Sequence, residues 1–486
     1  MSISKIKAEW FGNVKGDVLA GTVVALALIS ETIAFSIIAG VDPKIGFYGS
    51  FCIAISIAFF GGRPGMISST AGAMAVLMVT LVKDHGLQYL LAASVLTGVL
   101  QYLAGHMRFS FLLRFVSRSV TTGFVNALAI LIFLAQLPAF QDAGMQMYIM
   151  VGFGLFIIYL FPKITQAIPS TLVSIIILTV VSLMMDLNLK TIGDMGELPS
   201  MLPVLMIPDI PLNFETLKII FPYSATLAVV GLLETLMTSV IIDDLTDTDS
   251  DKNRECRGQG IANMIAGFFG GMAGCALIGQ SIINVESGGR SRLSTLFAGC
   301  FLIFLILAAG DFVKQIPVAA LVAIMIMVSV STFNWSSIKD FRSTPITSNL
   351  VIFVTVLVVV MTHDLAQGVF VGVLLSVMFF AYKVSHAFTV ESSLLKCETK
   401  RVYKIIGQVF FASADSFVAI FNYKEKISIA VIDLSDAHFW DVSAVDALNK
   451  ISDKLKKNGI KVEIIGLNAA SATIISKVLG QQVENS

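Results

Sequence analysis

Charge is scarce in this sequence. Asp, Glu, Lys and Arg make up only 14% of its 486 residues, against about 25% in a soluble globular protein. A fold exposed to water on every side is excluded. The charge present is also balanced, 33 basic against 33 acidic residues, so no global field attracts nucleic acid. Cysteine is sparse as well. Cys52, Cys256, Cys275, Cys300 and Cys397 are scattered, odd in number and form no C-x-x-C, which excludes a disulfide framework and a zinc site. The five histidines, His85, His106, His363, His386 and His438, fall at expected loops, span ends or in a polar C-terminal part. No nucleotide-binding loop and no nucleophile–base pairing is present, so an enzyme is not expected, nor a cofactor or metal. The N-terminus MSISKIKAEWFGNVKGD has no cleavable-signal pattern.

Apolar residues are abundant: 56% of the chain, with a mean hydropathy of +0.84. Positions 1–390 hold 43 charged residues and positions 391–486 hold 23. That contrast reads as a cytoplasmic segment 1–16, a transmembrane domain 17–390 and a small soluble cytoplasmic domain 391–486. A spanning helix needs about 20 apolar residues. Spans are expected near 17–38, 43–61, 70–83, 86–105, 119–138, 145–161 and 168–187, and after a polar, proline-dotted stretch near 216–242, 258–271, 277–288, 293–310, 317–332, 346–363 and 365–385. With the N-terminus in the cytoplasm, 16 Lys and Arg fall on that side and only Lys44, Lys83, Lys190, Lys218 and Lys314 outside, as the positive-inside rule requires. An even count returns the C-terminal domain to the cytoplasm. The protein is expected to be multi-pass in the cell (inner or plasma) membrane, with lipid as its surround.

Seven spans per half give the halves opposite orientations, an inverted repeat. The third span of each half is short and flanked by small residues, GGRPGMISSTAGAMA (61–75) and GGMAGCALIGQSIINVESGG (270–289). Interrupted short spans at matching positions point to a transporter binding site. Non-helical backbone at membrane depth survives only where protein or a wet cavity satisfies it. Two half-helix N-termini, near Thr70–Ala73 and Cys275–Ile278, can aim N–H groups at one point, and their dipoles favour an anion.

ALALISETIAFSIIAG (25–40) buries a carboxylate, Glu31, in the middle of the first span. On insertion scales this costs about 2.5–3.5 kcal/mol. Such a group is paired or protonated, and it is a functional candidate by default. SATLAVVGLLETLMTSVIIDD (224–244) places Glu234 in the first span of the second half, with Thr238 four residues on and on the same face. A carboxylate and a hydroxyl on one face suggest a cation or proton site.

The stretches GDVLAGTVVALALISETIAFSIIAGVDPKIGFYGSF, FFGGRPGMISSTAGAMAV, NRECRGQGIANMIAGFFGGMAGCALIGQSIINVESGGRSR and HDLAQGVFVGVLLSV resemble, in order, the sulfate permease (SulP) family of anion transporters. The resemblance runs from about Asn13 to the C-terminus. It implies a seven-plus-seven helical fold with a core domain moving against a gate domain, a homodimer, and secondary active transport of inorganic anions or small dicarboxylates. It also places the anion at Phe35, at Ala71, Gly72 and Ala73, and at Leu277, Ile278 and Gly279, with Glu31 as coupling carboxylate. Glu234 and Thr238 match a sodium site of bicarbonate-transporting relatives. Two departures stand out. Gln280 replaces an arginine found in many relatives. Ile278 replaces a threonine that helps hold sodium, which favours H+ over Na+ as coupling ion. A sodium-coupled symporter, an uncoupled exchanger or channel, and an anion sensor are the competing readings.

After Tyr382, strand and helix patterns alternate: RVYKIIGQVFF, ISIAVIDLSD and IKVEIIGL as strands, SAVDALNKISDKLKKNG and AASATIISKVLG as helices. VIDLSDAHFWDVSAVDAL resembles the core of STAS domains, a small α/β fold. The phosphate-accepting serine of bacterial anti-sigma antagonists is replaced by Val442 in Asp441–Val442–Ser443–Ala444. A dimerising or docking role toward a cytosolic protein is therefore expected rather than a phospho-switch.

Overall fold

The computed structural model describes residues 9–467 and 474, apart from 110, 112–115, 142–143, 165–169, 188, 212, 363–364, 387 and 396–398. Contacts divide the chain into two compact units, one within residues 1–373 and one within 374–486. Among the described residues, fourteen helices of nine residues or more precede the C-terminal sheet. The first seven are α1 (Val14–Ala39), α2 (Pro43–Phe60), α3 (Gly72–His85), α4 (Leu87–His106), α5 (Arg118–Leu134), α6 (Met145–Leu160) and α7 (Ser170–Met184). The second seven are α8 (Phe214–Thr246), α9 (Lys252–Phe268), α10 (Ile278–Glu286), α11 (Arg292–Lys314), α12 (Val318–Thr332), α13 (Ile346–Thr362) and α14 (Leu365–Ser385). Eight of these regions are long and apolar enough to cross a membrane by length and composition, and α7, α12 and α13 are shorter apolar helices. Two-residue strands β1 (Ser68–Ser69) and β2 (Cys275–Ala276) precede α3 and α10.

The packing repeats when every helix is shifted by seven. The α1–α11 contact matches α8–α4, and α2–α11 matches α9–α4. Likewise α1–α3 matches α8–α10, α1–α10 matches α8–α3, and α5–α13 matches α12–α6. The antiparallel pairing of β1 with β2 (Ser68 with Ala276, Ser69 with Cys275) sets the two halves head to head. Helices α1–α4 and α8–α11 make one packed group, while α5–α7 pack mainly with α12 and α13.

Loop contacts obey the sidedness set by the basic residues. Arg63 pairs with Asp243 at 3.2 Å, Arg292 with Glu9 at 2.9 Å, and Asp17 accepts from the Arg290 N–H at 2.8 Å. All six residues belong to the side assigned to the cytoplasm. On the opposite side Lys44 pairs with Glu197, the Asp209 N–H donates to Gln88 at 3.0 Å, and Thr191 bridges to Pro317.

The helix ends follow caps more than hydropathy. The ninth span, expected at 258–271, begins six residues earlier, because Asp251 accepts from the Arg254 N–H at 2.9 Å and fixes the first turn. It ends before Gly270, whose φ of +73° suits glycine. Its polar sequence is buried by close backbone approach. A Cβ on Gly98 of α4 would lie 2.5 Å from the Gly260 carbonyl oxygen, and one on Gly260 would lie 2.5 Å from the Tyr102 nitrogen. The third span starts at Gly72 rather than 70, because Ser68–Ser69 are spent on the strand.

The C-terminal unit carries a four-stranded sheet in the order β3 (Phe388–Leu394), β4 (Lys400–Val409), β5 (Ile429–Phe439), β6 (Lys461–Ile465). The β3–β4 pair is antiparallel, and β4–β5 and β5–β6 are parallel. Helices α15 (Ala414–Ile420) and α16 (Val442–Lys457) connect the parallel strands. Ile405, Phe417, Ile432, Leu434, Leu448, Ile451 and Leu455 form its core. The glycine expected to close α16 is Gly459, at φ +78°. Strand β3 has no counterpart in the sequence reading. The helix expected from AASATIISKVLG lies outside the described residues, Ile474 excepted.

Candidate functional site

The site is built where the two short helices start. Backbone here is extended, so its polar groups need partners from neighbouring helices. On the second-half strand, Ala273 N–H donates to Ser94 Oγ at 3.0 Å. Gly274 N–H donates to Asn263 Oδ1 at 2.9 Å, and its carbonyl accepts from Asn263 Nδ2 at 3.0 Å and Gln259 Nε2 at 2.9 Å. Asn263 Nδ2 also donates to Gln101 Oε1 at 2.8 Å. On the first-half side, Ile67 N–H donates to Ser281 Oγ at 3.0 Å, Asn284 Nδ2 to the Gly65 carbonyl at 2.7 Å, and Thr295 Oγ1 to the Met66 carbonyl at 3.0 Å. Hydroxyls of Thr32, Ser50, Ser69 and Thr70 link α1, α2 and β1 at 2.7–3.2 Å. Gly274 is required by crowding: a Cβ there would lie 2.0 Å from the Ser69 carbonyl oxygen.

Neither short helix has a side-chain cap. Ala71 and Leu277, the N-cap residues, are extended and supply no acceptor to the first turn. The positive ends of two dipoles are therefore left for another acceptor. Phe35 of α1 covers one of them. A Cβ on Gly72 would lie 2.9 Å from Phe35 Cε1 and 3.3 Å from Ile132 Cδ1 of α5. At the other, a Cβ on Gly279 would meet nothing within 4 Å. Ala71, Ala73 and Leu277 are buried beside them.

Glu31 lies one helical turn before Phe35 on α1 and is half-buried. Gln280, in the first turn of α10, donates its Nε2 to both Glu31 carboxylate oxygens. The substrate-site residues expected on the first span and at the two short helices, and the expected coupling carboxylate, are thus brought to one region. No ion pair involves Glu31 or Glu234 among the described residues.

Glu234 of α8 meets the same strand from the other side. Its Oε2 accepts from Cys275 Sγ at 3.0 Å, and the neighbouring Thr235 Oγ1 accepts from the Ala276 N–H at 3.2 Å. Thr238 lies one turn after Glu234 on the same helix. Its hydroxyl donates to the carbonyl of Glu234 at 2.7 Å, on its own helix. The group facing the Glu234 carboxylate is a thiol. No set of three or more His, Cys, Asp or Glu side chains is placed to hold a metal among the described residues. Sequence reasoning had no means of pairing Gln280 with Glu31 or Cys275 with Glu234, since the partners are 249 and 41 positions apart. The available signal was the rarity of polar side chains in apolar spans: Gln101, Thr235, Gln259, Asn263 and Gln280 all stand out.

In the C-terminal unit, Asp441 caps α16 by accepting from the Ala444 N–H at 2.9 Å, and its second oxygen accepts from the Phe411 N–H at 2.7 Å. Val442 follows, exposed, at the helix start.

Known proteins align with this chain along nearly its whole length. The profile of the sulfate permease family matches residues 14–147 and 140–356, and that of the STAS domain matches 395–479. A Bacillus subtilis (strain 168) protein, YbaR, named as a candidate sulfate transporter, is 56% identical over 97% of this chain and 98% of its own. The bicarbonate transporter BicA of Picosynechococcus sp. (strain ATCC 27264 / PCC 7002 / PR-6) is 25% identical over 95% of this chain and 89% of its own. Among solved structures, the transmembrane domain of a cyanobacterial BicA matches with a TM-score of 0.65 at 26% identity, covering 76% of this chain and 98% of that one. The murine Solute Carrier 26 family member A9 anion transporter in its inward-facing state shares the fold, with a TM-score of 0.82 at 17% identity over 96% of this chain and 87% of that one. Matched across most of its membrane part and more than half identical to a relative over 98% of that relative's length, the chain belongs to the sulfate permease family and ends in a STAS domain.

Proposed function

We propose that this membrane anion transporter accumulates a small inorganic anion or dicarboxylate by proton-coupled symport. The anion sits between the N-termini of α3 and α10, against Phe35, Ala71, Gly72, Ala73, Leu277, Ile278 and Gly279. The observation that carries this reading is the Glu31–Gln280 contact. It puts a carboxylate on the first turn of the helix whose N–H groups are to receive the anion, with no cation paired to it among the described residues. An ionised Glu31 repels an arriving anion, and a protonated one does not. Proton and anion binding then reinforce one another, by equal factors in both directions. Alternating access follows if α1–α4 and α8–α11 move together against α5–α7 and α12–α14, carrying both ligands past Ile132.

Protons are favoured over sodium by the Glu234 surroundings. Hard cations take oxygen ligands, whereas Glu234 faces a thiol and Ile278 brings no oxygen. Relatives named for sulfate and for bicarbonate both support an anion and do not choose between them. The reading includes a homodimer in the plasma membrane with both termini cytoplasmic, and a STAS domain that docks or dimerises. The test is uptake of labelled sulfate, bicarbonate and dicarboxylates into proteoliposomes under imposed pH or sodium gradients. Accumulation driven by an inward proton gradient alone supports symport. Equal rates without any gradient would leave an exchanger or channel.

A further inference from the structure

Away from the anion site, a cavity of about 740 Å³ opens between α5, α13 and the loop that joins α12 to α13. This lies within the usual range for a bound small molecule, about 300–1,000 Å³. Its floor and walls are Ile130, Phe333, Ile338, Phe341, Phe353 and Val356. Two cations, Lys339 and Arg342, also line it. Both are exposed, and neither forms an ion pair among the described residues. The acid between them, Asp340, is not part of the lining.

The loop is held as a fixed wall. Asn126 of α5 accepts from the Asn334 N–H at 2.8 Å and donates to Ser337 Oγ at 2.9 Å. Asn349 of α13 donates to the Phe341 carbonyl at 2.7 Å. Trp335, Ile338 and Phe341 are exposed on this loop, an aromatic and apolar rim of the kind that sits at a membrane–water boundary. The basic-residue asymmetry assigns the loop to the cytoplasmic side, where anionic lipid attracts Lys and Arg at about 1 kcal/mol each.

We propose that this cavity binds an anionic phospholipid, its phosphate between Lys339 and Arg342 and part of an acyl chain along Ile130, Phe353 and Val356. The pairing of two unpartnered cations with an apolar interior, at the edge of a membrane helix, fits an amphiphile with a negative head. A free phosphate uses only the cations, and a zwitterionic lipid cancels its own charge there. Because α5 and α13 belong to the group against which the core is proposed to move, an occupant here steadies the stationary part of the transporter.

The test uses the full-length protein, purified in detergent and stripped of lipid. Phosphatidylglycerol, phosphatidylcholine or inorganic phosphate is added back, and binding is read by native mass spectrometry. Wild type is expected to retain one phosphatidylglycerol per chain well above phosphatidylcholine, with inorganic phosphate failing to displace it. Lys339→Gln with Arg342→Gln should weaken phosphatidylglycerol binding by about fivefold per cation, roughly 25-fold together. Val356→Trp, which fills the apolar part and keeps both cations, should lose the lipid as well. Equal retention of both lipids by wild type, or unchanged phosphatidylglycerol binding in the two variants, would overturn the proposal. So would displacement by inorganic phosphate, or exclusion of lipid by a second copy of the chain cross-linked through Phe353→Cys.

Discussion

Gln280 Nε2 reaches both carboxylate oxygens of Glu31 across the junction between the two halves of the chain. The contact ties the middle of α1 to the first turn of α10. A side chain that carries no charge thereby holds an acidic group facing the proposed anion site.

Replacing Glu31 with Gln keeps the size of the side chain and fixes it in a form without charge. Glu31→Gln is expected to bind the anion and exchange it across the membrane, but to lose accumulation driven by a pH gradient. Counterflow and gradient-driven uptake in the same proteoliposomes read the two properties separately. Wild-type accumulation by this variant would remove the proton role. Glu234→Gln is the control and should change proton dependence less.

Space at the α3 N-terminus is limited by Phe35 and Ile132, since even a Cβ on Gly72 stands 2.9 Å from the Phe35 ring. Gly72→Trp must displace Phe35 and fill the anion position. Uptake should fall by at least about tenfold, equivalent to about 1.4 kcal/mol of lost binding, while size-exclusion behaviour stays that of wild type. A well-folded Gly72→Trp protein with normal uptake would place the anion elsewhere.

Sodium should be dispensable. Uptake in choline medium is expected to equal uptake in sodium medium at the same pH. Cys275→Ser exchanges the soft thiol facing Glu234 for an oxygen. If sodium stimulates transport at this site, that variant should respond more strongly than wild type, and sodium stimulation of the wild type itself would refute proton-only coupling.

Asn263 satisfies both polar groups of Gly274 and the Gln101 carbonyl. Asn263→Leu leaves buried partners unpaired, at about 1–3 kcal/mol. Thermal unfolding in detergent should show a midpoint lowered by several degrees. An unchanged midpoint would mean that water replaces the amide.

In the STAS domain, Asp441→Ala removes the α16 cap and the bond to Phe411, at about 1 kcal/mol. Amide exchange in the first turn of α16 should quicken about fivefold in the intact protein, with the sheet strands unaffected. No phosphate is expected on Val442–Ala444 in protein from native cells, and finding one that alters flux would contradict a docking role.

How far the sequence reached depended on the range of the physics involved. Hydropathy is a local sum, so α2, α6, α13 and α14 start at the residue expected for them. Charge placement at loops is local too, and the observed loop contacts join segments of one assigned side. Where an end is set by a cap or a strand pairing rather than by apolarity, as at Asp251 and at Ser68–Ser69, the expectation slipped by a few residues.

The repeat, the two short interrupted spans, Glu31 and Glu234 within apolar spans and the α/β tail were determined by the sequence itself, because spacing and composition alone carry them. Partnerships were decided only by the tertiary structure. Thr238 was expected on the same helix face as Glu234, but periodicity does not say which oxygen its hydroxyl takes, and it donates to the Glu234 carbonyl one turn back. Cys275 reaches Glu234, and Gln280 reaches Glu31, because an antiparallel crossing of β1 and β2 brings the start of α10 between α1 and α8. Helix periodicity encodes which way a side chain points, but not what another helix, 249 residues away, will place in front of it.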